Sequence, residues 1–114
     1  MDDEITPEEV AELLDSDDPP RIVDIRSPGA FAREHIPGSE NIPFGELPDR
    51  VESLESAERI VTVCPHGQAS QQAARLIKSY EGTAGARVES MKGGLAAWEG
   101  DVESSSEEPA ESPF

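Results

Sequence analysis

The chain has 114 residues, enough for one compact domain and too few for two, so any site must be built around a single hydrophobic core. Its 25 Asp plus Glu against 9 Lys plus Arg give a formal net charge of -16, and Arg21, Arg26, Arg33, Arg50, Arg59, Arg75 and Arg87 form no basic footprint. That balance argues against nucleic acid as a partner, since a phosphate backbone needs such a footprint. No apolar run approaches a membrane span, and a single cysteine permits no internal disulfide. The start, Met1 to Glu4, lacks the basic and apolar regions of a secretory signal, so the expected compartment is a reducing cytoplasm.

In chain order, Thr6-Pro7-Glu8-Glu9 predicts a helix opening, with Thr6 as cap, Pro7 at the first helical position and Glu9 closing a capping box. Val10, Leu13 and Leu14 mark its apolar face. Arg21 to Ile25 reads as a short strand, with Asp24 and Arg26 at its carboxyl end, and Ser27-Pro28-Gly29 turns into a brief helix carrying Phe31. The stretch from His35 to Pro43 is turn-rich with one short extended piece, and Leu47 to Leu54 suits a further helix.

Arg59 to Val63 predicts a buried strand that runs into Cys64, a turn at Pro65-His66-Gly67, and a helix from about Ser70 to Tyr80. A Gly-rich break at residues 82–85 precedes a last strand near Arg87 to Met91, then Lys92-Gly93-Gly94 and a short helix ending at Trp98. Alternating strands and helices with short linkers imply an α/β fold: a small open parallel sheet with helices on both faces, whose ligands gather at the carboxyl ends of the strands. Asp24, Cys64 and Lys92 all fall at such ends. The domain is expected over residues 1–100. From Asp101 to Phe114 the chain is Ser, Glu and Pro with almost nothing apolar, which predicts a disordered acidic tail.

A lone cysteine ending a Val/Ile strand has two readings. It is a buried core residue, or it is a nucleophile aimed at the unpaired N–H groups and positive end of the following helix, which favour the thiolate. The surrounding segments favour the second. Asp24-Ile25-Arg26, then Phe31 with His35-Ile36-Pro37-Gly38-Ser39-Glu40-Asn41-Ile42-Pro43, then Cys64-Pro65-His66-Gly67-Gln68-Ala69-Ser70, and finally Lys92-Gly93-Gly94-Leu95-Ala96-Ala97-Trp98 resemble, in that order, a single-domain rhodanese. The resemblance covers residues 5–100 of this chain.

The resemblance implies a sulfurtransferase that works without metal or organic cofactor. Cys64 would take sulfane sulfur from thiosulfate or a protein persulfide and hand it to a thiol acceptor. The loop of residues 65–69 would cradle the anion with backbone N–H groups. Gly67 permits the left-handed conformation such a loop needs, and Ser70 is placed to cap the helix. Many family members carry a basic residue after the cysteine and Arg or a hydroxyl residue at the sixth loop position, where this chain has Pro65 and Ala69. Poor thiosulfate turnover is the consequence to expect.

Four further residues are candidates for support. Asp24 is expected to hydrogen-bond the cysteine loop, and Arg26 to form a structural ion pair or bind carbonyls. His66 and Lys92 either assist the anion or are solvated. His35 and Trp98 are expected to anchor loops. Two rival functions remain open: a rhodanese-like interaction module without catalysis, and a phosphatase or arsenate reductase, whose longer loop would place an arginine where Ser70 stands.

The acid-rich, lysine-poor composition suits a halophilic source, where concentrated salt screens self-repulsion. The unfolding temperature is therefore expected to climb between low and molar salt. A salt-independent value in a calorimetric series would reject that reading.

Overall fold

The computed structural model describes residues 3–104. Five strands form one parallel sheet in the order β1-β5-β4-β2-β3: β1 is Glu4–Ile5, β2 Arg21–Asp24, β3 Glu40–Asn41, β4 Arg59–Val63 and β5 Arg87–Met91. The helices are α1 Pro7–Leu14, α2 Pro28–Arg33, α3 Leu47–Arg50 and α4 Ala69–Ser79, with single 3-10 turns between and after them. The expected open sheet with helices on both faces is thus what forms. The short edge strands β1 and β3, two residues each, are below the length at which alternation is readable in sequence.

Each central strand buries side chains on both sides because each face of the sheet is covered. In β4, Ile60 and the following Cys64 belong to the core under α3 and α4, while Val61 and Val63 belong to the core shared with α1. Val23 and Val88 join the first set; Ile22, Val10, Ile36 and Met91 join the second. A residue at the end of β4 therefore faces α4 purely by strand alternation.

Local chemistry sets the helix starts. Thr6 Oγ1 accepts from the Glu9 N–H at 3.1 Å while the Glu9 carboxylate accepts from the Thr6 N–H at 3.1 Å, the capping box the sequence predicts. Ser27 caps α2 through the Ala30 N–H at 3.3 Å, with Pro28 at the first position. The segment predicted as one helix over residues 47–54 breaks into α3 and a 3-10 turn, Val51–Leu54, because Arg50 sits at φ -118, ψ 1, outside the α region. Leu47, Val51 and Leu54 are buried all the same, since their spacing serves either helix type.

The start of the acidic tail is held, in contrast to the expectation of disorder from Asp101. His35 and Glu103 exchange two backbone hydrogen bonds of 2.9 Å, and Ser104 Oγ donates to the Ala32 carbonyl at 3.0 Å. His35 Nδ1 lies 2.6 Å from the Phe31 carbonyl, and its ring stacks on Phe31 at 3.8 Å. Trp98 Nε1 donates to the Asp101 carbonyl at 3.0 Å, so both aromatic anchors act as the sequence suggests. The rest of the predicted tail, 105–114, lies outside the described residues.

At the carboxyl end of β2, the Asp24 carboxylate accepts from the Arg26 guanidinium at 2.8 Å and from the Arg26 backbone N–H at 3.0 Å. Both side chains are largely buried, at 10% exposure for Arg26 and 2% for Asp24. Arg26→Ala would leave that carboxylate buried without its partner, a situation that costs about 3–5 kcal/mol. Urea unfolding of Arg26→Ala is expected to show a loss of that order, and a loss below about 1 kcal/mol would mean the pair is solvent-screened.

Candidate active site

Cys64 follows the last residue of β4, between the ends of β2 and β5, at the point where the chain turns into α4. It is 2% exposed. The turn needs Gly67, whose φ of +85 is the left-handed conformation expected from the sequence. That conformation aims the Gly67 N–H back at the cysteine, where it donates to Sγ at 3.0 Å.

Ser70 departs from its expected role. Helix α4 begins at Ala69 with Gln68 in the capping position and no side-chain cap, so Ser70 already has helical geometry and cannot cap. Instead its hydroxyl lies 3.3 Å from Cys64 Sγ and 2.7 Å from Ser90 Oγ. Burial pushes the Cys64 thiol up, but hydrogen bonds from the Ser70 hydroxyl and the backbone N–H groups of Ser70, His66 and Gly67 outweigh it. The net effect holds the thiol below the ordinary cysteine value.

The second half of the site is the turn after β5. Leu95 N–H donates to the Cys64 carbonyl at 2.8 Å and Ala96 N–H to the Pro65 carbonyl at 3.0 Å. The two backbones touch through glycines. A Cβ on Gly67 would fall 2.7 Å from Gly93 N, and a Cβ on Gly94 would fall 2.6 Å from both Gly67 N and His66 N. Gly94 also has φ +64, ψ -163, a region essentially reserved for glycine.

The remaining sequence candidates separate into three groups. Lys92 is exposed on the turn that touches the cysteine loop, its N–H donating to the Ile5 carbonyl at 2.8 Å, with no ion pair to its side chain among the described residues. Pro65, His66 and Gln68 are exposed on the loop itself and Ala69 is half-buried. Pro65 has no N–H to give, so the backbone cradle starts at His66. Asp24 does not reach the loop: its short carboxylate is taken up two residues along by Arg26, in an Asx-type turn. Arg26 is the structural ion pair expected, and it also donates to the Glu34 carbonyl at 2.7 Å. The Asp24 corner supports the loop from a distance, through Ile25 N–H donating to the Val63 carbonyl at 3.0 Å.

A family model for the rhodanese-like domain matches residues 6–101 of the chain. The chain belongs to the rhodanese-like family. It is 40% identical over 90 residues to thiosulfate sulfurtransferase GlpE of Pseudoalteromonas translucida, covering 77% of this chain and 80% of that protein. It is 32% identical over 100 residues to YrkF of Bacillus subtilis, named as a proposed sulfur carrier protein, and spans 88% of this chain but only 52% of YrkF. The crystal structure of a rhodanese-like domain protein from Staphylococcus aureus superposes with a TM-score of 0.77 at 27% identity, over 90% of this chain and 97% of that one.

Among these rhodanese-like features, the glycine interlock yields a direct test. Gly94→Ala must displace the Cys64, His66 and Gly67 backbone atoms that a Cβ would strike. The variant is expected to lose at least tenfold in the rate of Cys64 alkylation by iodoacetamide, whereas Gly29→Ala, with open space around its Cβ, retains the wild-type rate. Equal rates for both would show that the contact does not position the thiol.

Proposed function

We propose that this rhodanese-like protein is a sulfurtransferase in which Cys64 carries sulfane sulfur as a persulfide. The observation that supports it most directly is the Cys64 sulfur, buried yet receiving an N–H from Gly67 and lying beside the Ser70 hydroxyl. A cysteine that only fills a core has no use for hydrogen bonds that stabilise its anion. The names of GlpE, a thiosulfate sulfurtransferase, and YrkF, a proposed sulfur carrier, point the same way.

The reaction runs in two displacements. The Cys64 thiol first loses its proton to solvent. Its thiolate then attacks the outer sulfur of thiosulfate; the Cys–S bond forms as the sulfur–sulfur bond of the donor breaks, and sulfite leaves with the electron pair. The new terminal sulfur carries the negative charge, beside N–H groups from His66 to Ala69 at the start of α4, where helix donors have no partner within the helix. An acceptor thiolate then attacks that terminal sulfur, takes it as its own persulfide and returns Cys64 as thiolate. At 2% exposure, Cys64 suits donors that present a single terminal sulfur.

Lys92 is the cation assigned to attract the anionic donor, because its turn abuts the loop and the loop itself, with Pro65 and Ala69, supplies none. His66 contributes its backbone N–H, and its exposed ring is available to an incoming anion. Ser70 offers no cation where a phosphatase of the related type would hold arginine, so oxyanion chemistry on phosphate is not favoured.

Intact mass measurement after exposure to thiosulfate in high salt, with sulfite assayed, checks the relay. Wild type is expected to gain one sulfur atom and release sulfite and Cys64→Ser neither. Lys92→Ala, compared with wild type at the lowest salt at which both stay folded, is expected to gain sulfur several-fold more slowly at limiting donor, a difference that shrinks as salt rises. No mass gain with thiosulfate, polysulfide or glutathione persulfide would reject sulfur transfer and leave the interaction-module function.

A further inference from the structure

The sulfur is the end of a chain of buried hydroxyls that begins on a neighbouring strand. Ser90 lies on β5, one residue before its end, with no exposed surface. Strand alternation puts it on the α4 side with Val88, and its backbone is fixed on both flanks, in register with Thr62 of β4 and Glu4 of β1. Its Oγ lies 2.7 Å from Ser70 Oγ, which in turn lies 3.3 Å from Cys64 Sγ. Thr62 Oγ1 donates to the Ser70 carbonyl at 2.7 Å and so holds the first turn of α4 over this pair.

A proton count decides what this arrangement can do. A serine hydroxyl has one proton to donate and two lone pairs to accept with. When Cys64 is a thiolate it has no proton, so it accepts from the Gly67 N–H and the Ser70 O–H. Ser70 has then spent its only proton on the sulfur, and its contact with Ser90 is satisfied only if Ser90 donates. When Cys64 is a thiol, S–H donates to Ser70 Oγ and the Ser70 proton turns toward Ser90. No proton passes between the hydroxyls; both rotate, and the thiol proton goes to solvent.

We propose that Ser90 is a positioning residue for Cys64: its buried hydroxyl donates to Ser70 Oγ and thereby commits the Ser70 proton to the sulfur. This rests on Cys64 working as a thiolate. A second donor behind the first strengthens it, because hydrogen bonds in a low-dielectric interior polarise one another. Ser90 also sits on a rigid strand bonded on both edges, so the orientation of the Ser70 hydroxyl costs little reorganisation at the moment the thiolate forms.

The test is the titration of Cys64, followed by thiolate ultraviolet absorbance and by the pH dependence of alkylation. Ser90→Ala is expected to move the midpoint upward by about 0.5 pH unit, a threefold loss of thiolate at a pH below it. Ser70→Ala moves it further, and Ser70→Ala/Ser90→Ala matches Ser70→Ala, because Ser90 acts only through Ser70. Ser90→Thr, which keeps the hydroxyl, titrates as wild type, while the equal-sized Ser90→Val shifts upward; this pair decides the matter at matched volume if Ser90→Ala does not fold. A wild-type midpoint in Ser90→Ala or Ser90→Val, or a double variant shifted by the sum of the two singles, overturns the proposal. The titration needs no sulfur donor, so a failure of sulfur transfer and a failure of this hydroxyl chain are read separately.

Discussion

Everything at the carboxyl end of the sheet depends on two chain segments lying backbone to backbone: the turn that carries Cys64 and the turn that follows β5. Leu95 and Ala96 donate their N–H groups to the carbonyls of Cys64 and Pro65, and the approach is close enough that Gly67 and Gly94 have no room for a Cβ. Carbonyls paired in this way turn away from the sulfur, leaving N–H groups to face it. The loop is therefore electropositive in its backbone although Pro65, Gly67, Gln68 and Ala69 bring no charge. Side-chain cations are dispensable at the sulfur itself when the main chain supplies the donors.

This arrangement matters because the protein as a whole is strongly anionic, at -16. A thiolate inside such a charge cloud gains nothing from the long-range field, so its stabilisation must come from short-range donors that solvent and salt cannot screen. The Gly67 N–H and the Ser70 hydroxyl, both buried, are of that kind. The field still acts on any approaching anion, which gives Lys92, exposed on the adjoining turn, more weight than it would have on a neutral surface.

The two faces of the sheet divide the work. The face shared with α1 packs Val61, Val63, Ile22 and Met91, and its buried carboxylates, Glu89 and Asp24, are taken up by Arg59 and Arg26. The face under α4 is apolar at depth, through Val23, Ile60, Val88 and Ile77, but carries Thr62, Ser90 and Ser70 toward the end where Cys64 sits. Buried hydroxyls on a core face are costly unless each is paired, and each of these three has a hydrogen-bond partner. The polar cluster replaces close packing at the one place where the core meets the sulfur.

The sequence alone determined the order and type of the main elements, the capped start of α1, the left-handed Gly67 and the position of Cys64 at a strand end, because these follow from local periodicity, turn chemistry and motif spacing. β4 and β5 occupy the residues the alternation predicts, since strands buried on both faces give a strong local signal. Tertiary structure alone decided the partners. Ser70 reads in sequence as a cap and is a hydrogen-bond partner of the sulfur, because the capping position falls at Gln68, two residues earlier than its turn chemistry suggests. Asp24 reads as a loop ligand and is consumed by Arg26. Ser90 could have been noticed as a hydroxyl at a core-facing strand position, yet only the pairing of β4 with β5 and the seating of α4 bring it to Ser70. Periodicity fixes which way a side chain points; what it meets there is set by contacts distant in sequence, and no local pattern encodes them.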